Sequence, residues 1–194
     1  MKTLSISTLT ICGIEELPGN SAREVTHVLS VIDPDRAEID AFGSYGEHHR
    51  VTLRFHDIID ARPGQVMPTP EHVGEILSFG EGLRGSATGR VNGHLLVHCH
   101  MGISRSTAAM MTLMAQANAA EDEDVLFARL REIRPQAWPN SVMIGFADAQ
   151  LGRSGRLTQA LRRHYAHQIE AQPQFRTWMN DLGRKREIEM GLTV

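Results

Sequence analysis

The stretch "GHLLVHCHMGISRSTAAMMTLM", residues 93 to 114, constrains the fold more than any other part of the chain. "GHLLVHC" is a short, almost unbroken apolar run bounded by "RVNG". That pattern suits a strand in the centre of a sheet covered on both faces. A few residues later a small-residue helix begins, predicted from Ser104 to about Ala120. A buried strand that turns this sharply into a helix belongs to an α/β architecture.

The rest of the chain agrees. "LSISTLTICGI", "EVTHVLSVID" and "RVTLRFHDI" alternate or run apolar with β-branched residues and predict three earlier strands, the second stopped by Asp33-Pro34. After the breaker-rich loop "DARPGQVMPTP", Thr69 caps a helix with Pro70 at its first position, and Val73, Ile76, Leu77 and Phe79 form its buried stripe. Further helices are predicted over 121–134, 140–151 and about 155–168, with the polar segment 172–194 either a terminal helix or a loose tail. Strands come early and helices late. The expected fold is an α/β three-layer sandwich, a central mostly parallel or mixed sheet of four to five strands flanked by helices. Residues 1–152 form its core and 153–194 a helical extension of the same domain.

Composition narrows the function. The chain has 194 residues, 41% hydrophobic and 22% charged, which is ordinary for a globular domain. A net charge of −3 argues against a nucleic-acid partner. No run is long enough for a membrane span, and "MKTLSISTLTICG" lacks the apolar stretch of a signal peptide, so the expectation is a cytoplasmic protein with no membrane partner. In a reducing compartment the two cysteines, Cys12 and Cys99, are thiols rather than a disulfide.

A thiol is a weak nucleophile unless its surroundings stabilise the thiolate. Between Cys99 and the helix, His100, Met101, Gly102, Ile103 and Ser104 must curl so that successive N–H groups face inward. Such a nest at a helix N-terminus is an oxyanion site. Gly102 supplies the conformation or close approach that a Cβ would obstruct. Arg105 presents two parallel N–H donors to two oxygens of a tetrahedral dianion, a fork that lysine lacks. The loop therefore seats a phosphate above Cys99, and the chemistry it suits is phosphoryl transfer to sulfur.

His98-Cys99-x5-Arg105-Ser106 resembles the signature of the cysteine-based protein tyrosine phosphatases, and its glycine and Ser-Arg-Ser ending are most similar to the dual-specificity branch, in a bacterial-type form. "EVTHVLSV" resembles that branch's second-strand motif, and "LREIRPQAWPNSVMIGFADAQL" its helix-turn-helix after the loop; the likeness spans residues 4 to about 152. The resemblance implies that Cys99 is the nucleophile of a phosphocysteine intermediate. It also implies that Arg105 and the amides of residues 100 to 105 bind the phosphoryl oxygens. Ser106 hydrogen-bonds the sulfur as it leaves, and His98 orders the loop. No metal or other cofactor is implied. The family's general acid is an aspartate upstream of the cysteine, for which "LRFHDIIDARPG" offers Asp57, preferred as it directly follows the strand, and Asp60. Asp57 precedes Cys99 by 42 positions, more than is usual in that branch, so the loop 60–70 is expected to be an insertion folding over the pocket. The expected partner is a phosphorylated protein, at tyrosine or with dual specificity. The alternatives are a small non-protein phosphoester as substrate, or a non-catalytic module that binds phosphate without turnover.

Other residues carry plainer expectations. Cys12 reads as core on the first strand, with a redox partnership to Cys99 the lesser alternative. His98-x-His100 has the spacing of a metal pair, but a guanidinium at position 105 would repel the cation. Asn140 caps the following helix, and Met110, Met111 and Met114 are helix core. "RGSATGR" and "GRKRE" read as solvated surface.

Overall fold

The computed structural model describes residues 5–85 and 92–194. Four strands, β1 (Ser5–Cys12), β2 (His27–Ile32), β3 (His49–Arg54) and β4 (Asn92–His98), make one parallel sheet in the order β1-β4-β2-β3. The apolar run of β4 is central, pairing Leu95 with Leu9 and with His27, and Val97 with Ile11 and with Leu29. Its continuous hydrophobicity is thereby explained, because both faces of this strand are covered.

Helices α1 (Pro70–Gly85), α2 (Arg105–Ala117), α3 (Glu123–Ile133), α4 (Ser141–Gln150) and α5 (Arg156–Ala171) follow, then the shorter α6 (Phe175–Asp181) and α7 (Lys185–Leu192). The helices share a core with Leu29, Val31, Leu95 and Val97 of the sheet, and Val73, Ile76 and Phe79 of α1 are buried in it with Met110, Met111 and Met114. The opposite face carries Cys12, Val28 and Leu96, covered by Leu17, Val25 and Phe42 from short 3-10 turns and loops. Asn140 caps α4 as its sequence position predicts, accepting from the N–H groups of Val142 and Met143. None of the described helices is long and apolar enough to cross a membrane. Most of "RGSATGR" lies outside the described residues.

Residues 172–194, left open by the sequence, are neither one helix nor loose. Phe175, Met179 and Ile188 enter the main core. Trp138, fully buried, stacks against Tyr165 of α5 at 4.4 Å and Phe175 of α6 at 5.5 Å between ring centroids. Gly183 turns the chain between α6 and α7 at φ +76, a left-handed conformation natural to glycine. The Arg184 N–H then returns to the Met179 carbonyl at 2.8 Å.

Because all strands are parallel, their carboxyl ends lie on one edge of the sheet. That edge receives Gly13 after β1, Asp33 after β2, Phe55 to Asp57 after β3, and Cys99 after β4. In open α/β sheets this edge is where ligands bind.

Candidate active site

The loop from Cys99 to Arg105 is shaped by what holds its carbonyls. The His100 carbonyl accepts from the Ile14 N–H at 3.0 Å, and the Ile103 carbonyl from the Trp138 N–H at 2.8 Å. The Met101 and Gly102 carbonyls accept from Arg134, through NH2 at 3.0 Å and Nε at 2.9 Å. The Ser104 carbonyl accepts from the Thr107 hydroxyl at 2.9 Å. Each carbonyl from 100 to 104 is thus tied outward, and a peptide whose C=O points out aims its N–H the other way. Among the described residues no protein group accepts from the N–H groups of residues 100–105. Unpaired amides in a loop this well fixed make an anion site.

Gly102 sits at φ +70, and a Cβ there would lie 2.6 Å from the Gly13 nitrogen and 2.7 Å from the Cys12 carbonyl oxygen. The end of β1 therefore presses directly against the back of the loop, and only glycine fits. Arg134 is itself anchored by Glu16 at 2.8 and 2.9 Å. The same guanidinium is the main cause that holds the Glu16 carboxyl below its ordinary range.

Cys99 is buried, and its Sγ lies 3.1 Å from the Ser106 Oγ. His98 lies behind the loop, with Nε2 2.7 Å from the Ser30 hydroxyl. Burial pushes this imidazole down to about 4, so it is neutral at pH 7. Arg105 is only 2% exposed. Its NH1 donates to Asp33 Oδ1 at 2.7 Å and to the Phe55 carbonyl. Its Nε is buried with no partner. NH1 is thus fixed by the protein while Nε is unclaimed, and the residue lines the cavity, which leaves it a donor for the fork a tetrahedral dianion needs.

A cavity of about 330 Å³ opens above the sulfur. Cys99, His100, Met101, Ile103, Ser104 and Arg105 line it from the cysteine loop. His56, Asp57, Arg62 and Gln65 border it from the side of the β3–α1 loop, so the expected fold of that loop over the pocket is present in Arg62 and Gln65. Asp57 belongs to this cluster: its Oδ1 accepts from the Ser104 hydroxyl at 2.8 Å and from Asn140 Nδ2 at 3.1 Å. Asp60 does not. It is exposed and lies 3.4 Å from Arg186.

No family model matches the chain. Among curated proteins, human Slingshot homolog 3, a protein phosphatase, is 35% identical over 127 residues, 66% of this chain. The chain spans only 16% of that protein's length. Among solved structures, human DUSP28 matches at TM-score 0.54 and 16% identity, over 78% of this chain and 99% of that one. The PTP-2 phosphatase of Cydia pomonella matches at TM-score 0.54 and 18% identity, over 76% of this chain and 89% of that one. The human tyrosine phosphatase-like serine/threonine/tyrosine-interacting protein matches at TM-score 0.53 and 18% identity, over 79% and 97%. The chain has the protein-tyrosine-phosphatase-like α/β fold.

Onto that fold the C-terminal residues add a wall. Trp178, Met179, Leu182 and Arg184 line the cavity beside the β3–α1 loop, which Arg184 and Arg186 contact at Asp57 and Ile59. This corrects, at Arg184 and Glu187, the expectation that "GRKRE" is solvated surface; Gly183, Lys185 and Arg186 are exposed as expected. Arg184 is 4% exposed and Glu187 fully buried. Arg184 NH2 donates to both the carboxylate and, at 2.9 Å, the main-chain carbonyl of Asp57, and it lies 3.2 Å from the Ser104 hydroxyl. Glu187 accepts from the Trp138 indole and from the Ser141 N–H, both at 2.8 Å. Burial would push Asp57 up, but Arg184, Arg105 and the bonds from Ser104 and Asn140 hold it below the usual carboxylate range. Glu187 goes the other way, raised by burial that Arg184 only partly offsets.

Sequence reasoning missed Asp33, Arg184, Glu187 and the Trp178–Leu182 wall. Asp33 was visible only as the stop of a strand. The others lie in a polar stretch with no chemical motif.

Proposed function

We propose that the chain is a phosphomonoester hydrolase working through a phosphocysteine, with an aryl phosphate, as on phosphotyrosine, its best substrate. One observation carries this reading: a ring of outward-tied carbonyls leaves unclaimed amides and one unclaimed guanidinium nitrogen around the Cys99 sulfur. Such preorganised donors stabilise the oxygens of a transferring phosphoryl group. The resemblance in sequence and fold to protein phosphatases supports it.

In the first step Cys99 Sγ attacks phosphorus in line. An S–P bond forms as the bond to the leaving oxygen breaks, and Asp57 gives that oxygen its proton. In the second, the Asp57 carboxylate takes a proton from water, whose oxygen attacks phosphorus. The S–P bond breaks and inorganic phosphate leaves. The Ser106 hydroxyl, 3.1 Å away, hydrogen-bonds the sulfur as it departs. Asp57 is ionised in the empty site. A phosphoryl dianion arriving beside it is a like charge, which favours uptake of the proton the first step consumes.

The apolar wall of Trp178, Met179 and Leu182, with Met101 at the rim, suits an aromatic leaving group better than the short arm of phosphoserine. Turnover of para-nitrophenyl phosphate by wild type and Cys99→Ser tests the enzyme reading. Loss of turnover with retained phosphate binding is expected, and equal rates would overturn it. Phosphotyrosine, phosphoserine and phosphothreonine peptides, phosphoinositides and sugar phosphates assayed side by side test the substrate.

A further inference from the structure

We infer that Arg184 is a positioning residue for Asp57: the turn between α6 and α7 holds the aspartate over the cysteine loop and shares its charge with Glu187. This deepens the proposed function and rests on Asp57 being the general acid. The geometry is specific. The Arg184 guanidinium grips Asp57 twice, at the carboxylate and at the main-chain carbonyl. A residue gripped at both side chain and backbone has its position set as well as its charge.

The guanidinium is held in turn. Glu187 Oε1 and Oε2 lie 3.4 Å from NH1, and Glu187 is fixed by Trp138 and Ser141. A chain of contacts therefore runs from Trp138, whose backbone N–H also holds the Ile103 carbonyl of the loop, through Glu187 and Arg184 to Asp57. The cysteine loop and the aspartate are referenced to the same buried residue, the loop through its main chain and the aspartate through its indole.

Several other groups surround Asp57. Arg105 and Ser104 face it from the cysteine loop and Asn140 from the start of α4. Asp33 pairs with Arg105 and lines the same cavity. His56 and Cys99 share its cavity. Of these neighbours, the one that donates to its backbone as well as its carboxylate is Arg184.

Removing the cation should raise the proton affinity of a partly buried carboxylate, and removing the competing anion should lower it. The tests are Arg184→Met, Arg184→Lys, Glu187→Gln and Asp57→Asn in the full chain. Each is followed as kcat against pH with para-nitrophenyl phosphate and with phenyl phosphate, whose poorer leaving group depends more on a general acid.

Loss of protonated Asp57 gives the basic limb of kcat. For Arg184→Met that limb is expected to move up by about one to three pH units, the usual effect of an adjacent opposite charge. Its maximal kcat should fall more for phenyl than for para-nitrophenyl phosphate. Glu187→Gln should move the limb the other way, to lower pH. Arg184→Lys should leave the limb near its original place while lowering kcat on phenyl phosphate, since a single ammonium lacks the second nitrogen that faces Glu187 and so loses the buried tether that positions the one on Asp57. Should Arg184→Met fail to fold, the Glu187→Gln and Arg184→Lys results decide alone. If Asp57→Asn keeps the basic limb, Asp57 is not the acid, and the proposed role and this inference both fall. If Asp57→Asn abolishes the limb but the Arg184 and Glu187 variants leave it in place with equal losses on both esters, the acid stands and the inference is overturned.

Discussion

Arg134→Ala isolates the idea that outward carbonyls aim inward amides. Arg134 sits on the rear of the loop, and its Nε and NH2 hold the Gly102 and Met101 carbonyls at 2.9 and 3.0 Å. Those two carbonyls belong to the peptides whose N–H groups are those of Ile103 and Gly102. Hydrogen bonds to a charged donor are worth about 1.5–3 kcal/mol each, and water replaces part of that in the variant. The bridge to Glu16, a carboxylate 47% exposed, adds no more than about 1 kcal/mol. A net loss of about 3 kcal/mol follows, and in a domain this size it lowers Tm by roughly 6–12 °C. The catalytic loss should be larger than stability alone implies. Two freed peptides no longer hold their N–H groups on the phosphoryl oxygens, and one misplaced oxyanion donor costs about 10²-fold in kcat. The assay is kcat on para-nitrophenyl phosphate together with the inhibition constant for phosphate, read beside a melting curve. Glu16→Gln is the control: it keeps Arg134 on both carbonyls, so its kcat should stay close to wild type. The reasoning is refuted if Arg134→Ala melts early yet turns over and binds phosphate like wild type.

Three shorter tests bear on the same scaffold. Gly102→Ala combines a left-handed φ of +70 with a Cβ 2.6 Å from the Gly13 nitrogen; the left-handed penalty and overpacking together cost about 2–5 kcal/mol, seen by thermal melting, with turnover lost. His98 and His164 are held by burial at about 4 and about 3, below the ordinary 6.5, so the unfolded chain binds more protons than the folded one between those values. Stability should therefore fall as pH drops from 6.5 toward 4, by up to about 2.7 kcal/mol per unit for two protons, and His164→Gln should reduce that slope in urea titrations. Burial and Glu16 push the Cys12 thiol up to about 12; iodoacetamide on native protein at pH 8 should label Cys99 and leave Cys12 untouched until the chain unfolds, read by peptide mass spectrometry.

How legible each part was follows from how local its cause is. The cysteine loop was readable because its conformation is dictated within a few residues: a strand ends, a helix starts, and the glycine and arginine between them have few other uses. The four strands were readable from their apolar runs, although only the structure shows that all are parallel. Asp57 and Asp60 could not be fully separated, because the path of one loop decides which carboxylate meets the Ser104 hydroxyl. Arg184 was not readable at all. Four consecutive charged residues after a glycine normally mean solvent, and here the burial of Arg184 is compensated by Glu187 three residues on and by Asp57, 127 positions earlier.

Phe175 and Met179 on α6 and Ile188 on α7 already give residues 172–194 an apolar attachment to the core. A buried ion pair adds little net stability, since the desolvation of its charges cancels most of their attraction. Docking alone would be served as well by apolar residues at 184 and 187. What apolar residues would not supply is a cation at the edge where four parallel strands deliver Gly13, Asp33, Asp57 and Cys99. The cavity is lined both by residues at the strand ends and the loops after them and by residues of the chain's last helices, where Arg184 meets Asp57. In the function proposed above, the sheet edge supplies the nucleophile and the anion cradle, while the C-terminal helices set leaving-group preference and the register of the acid.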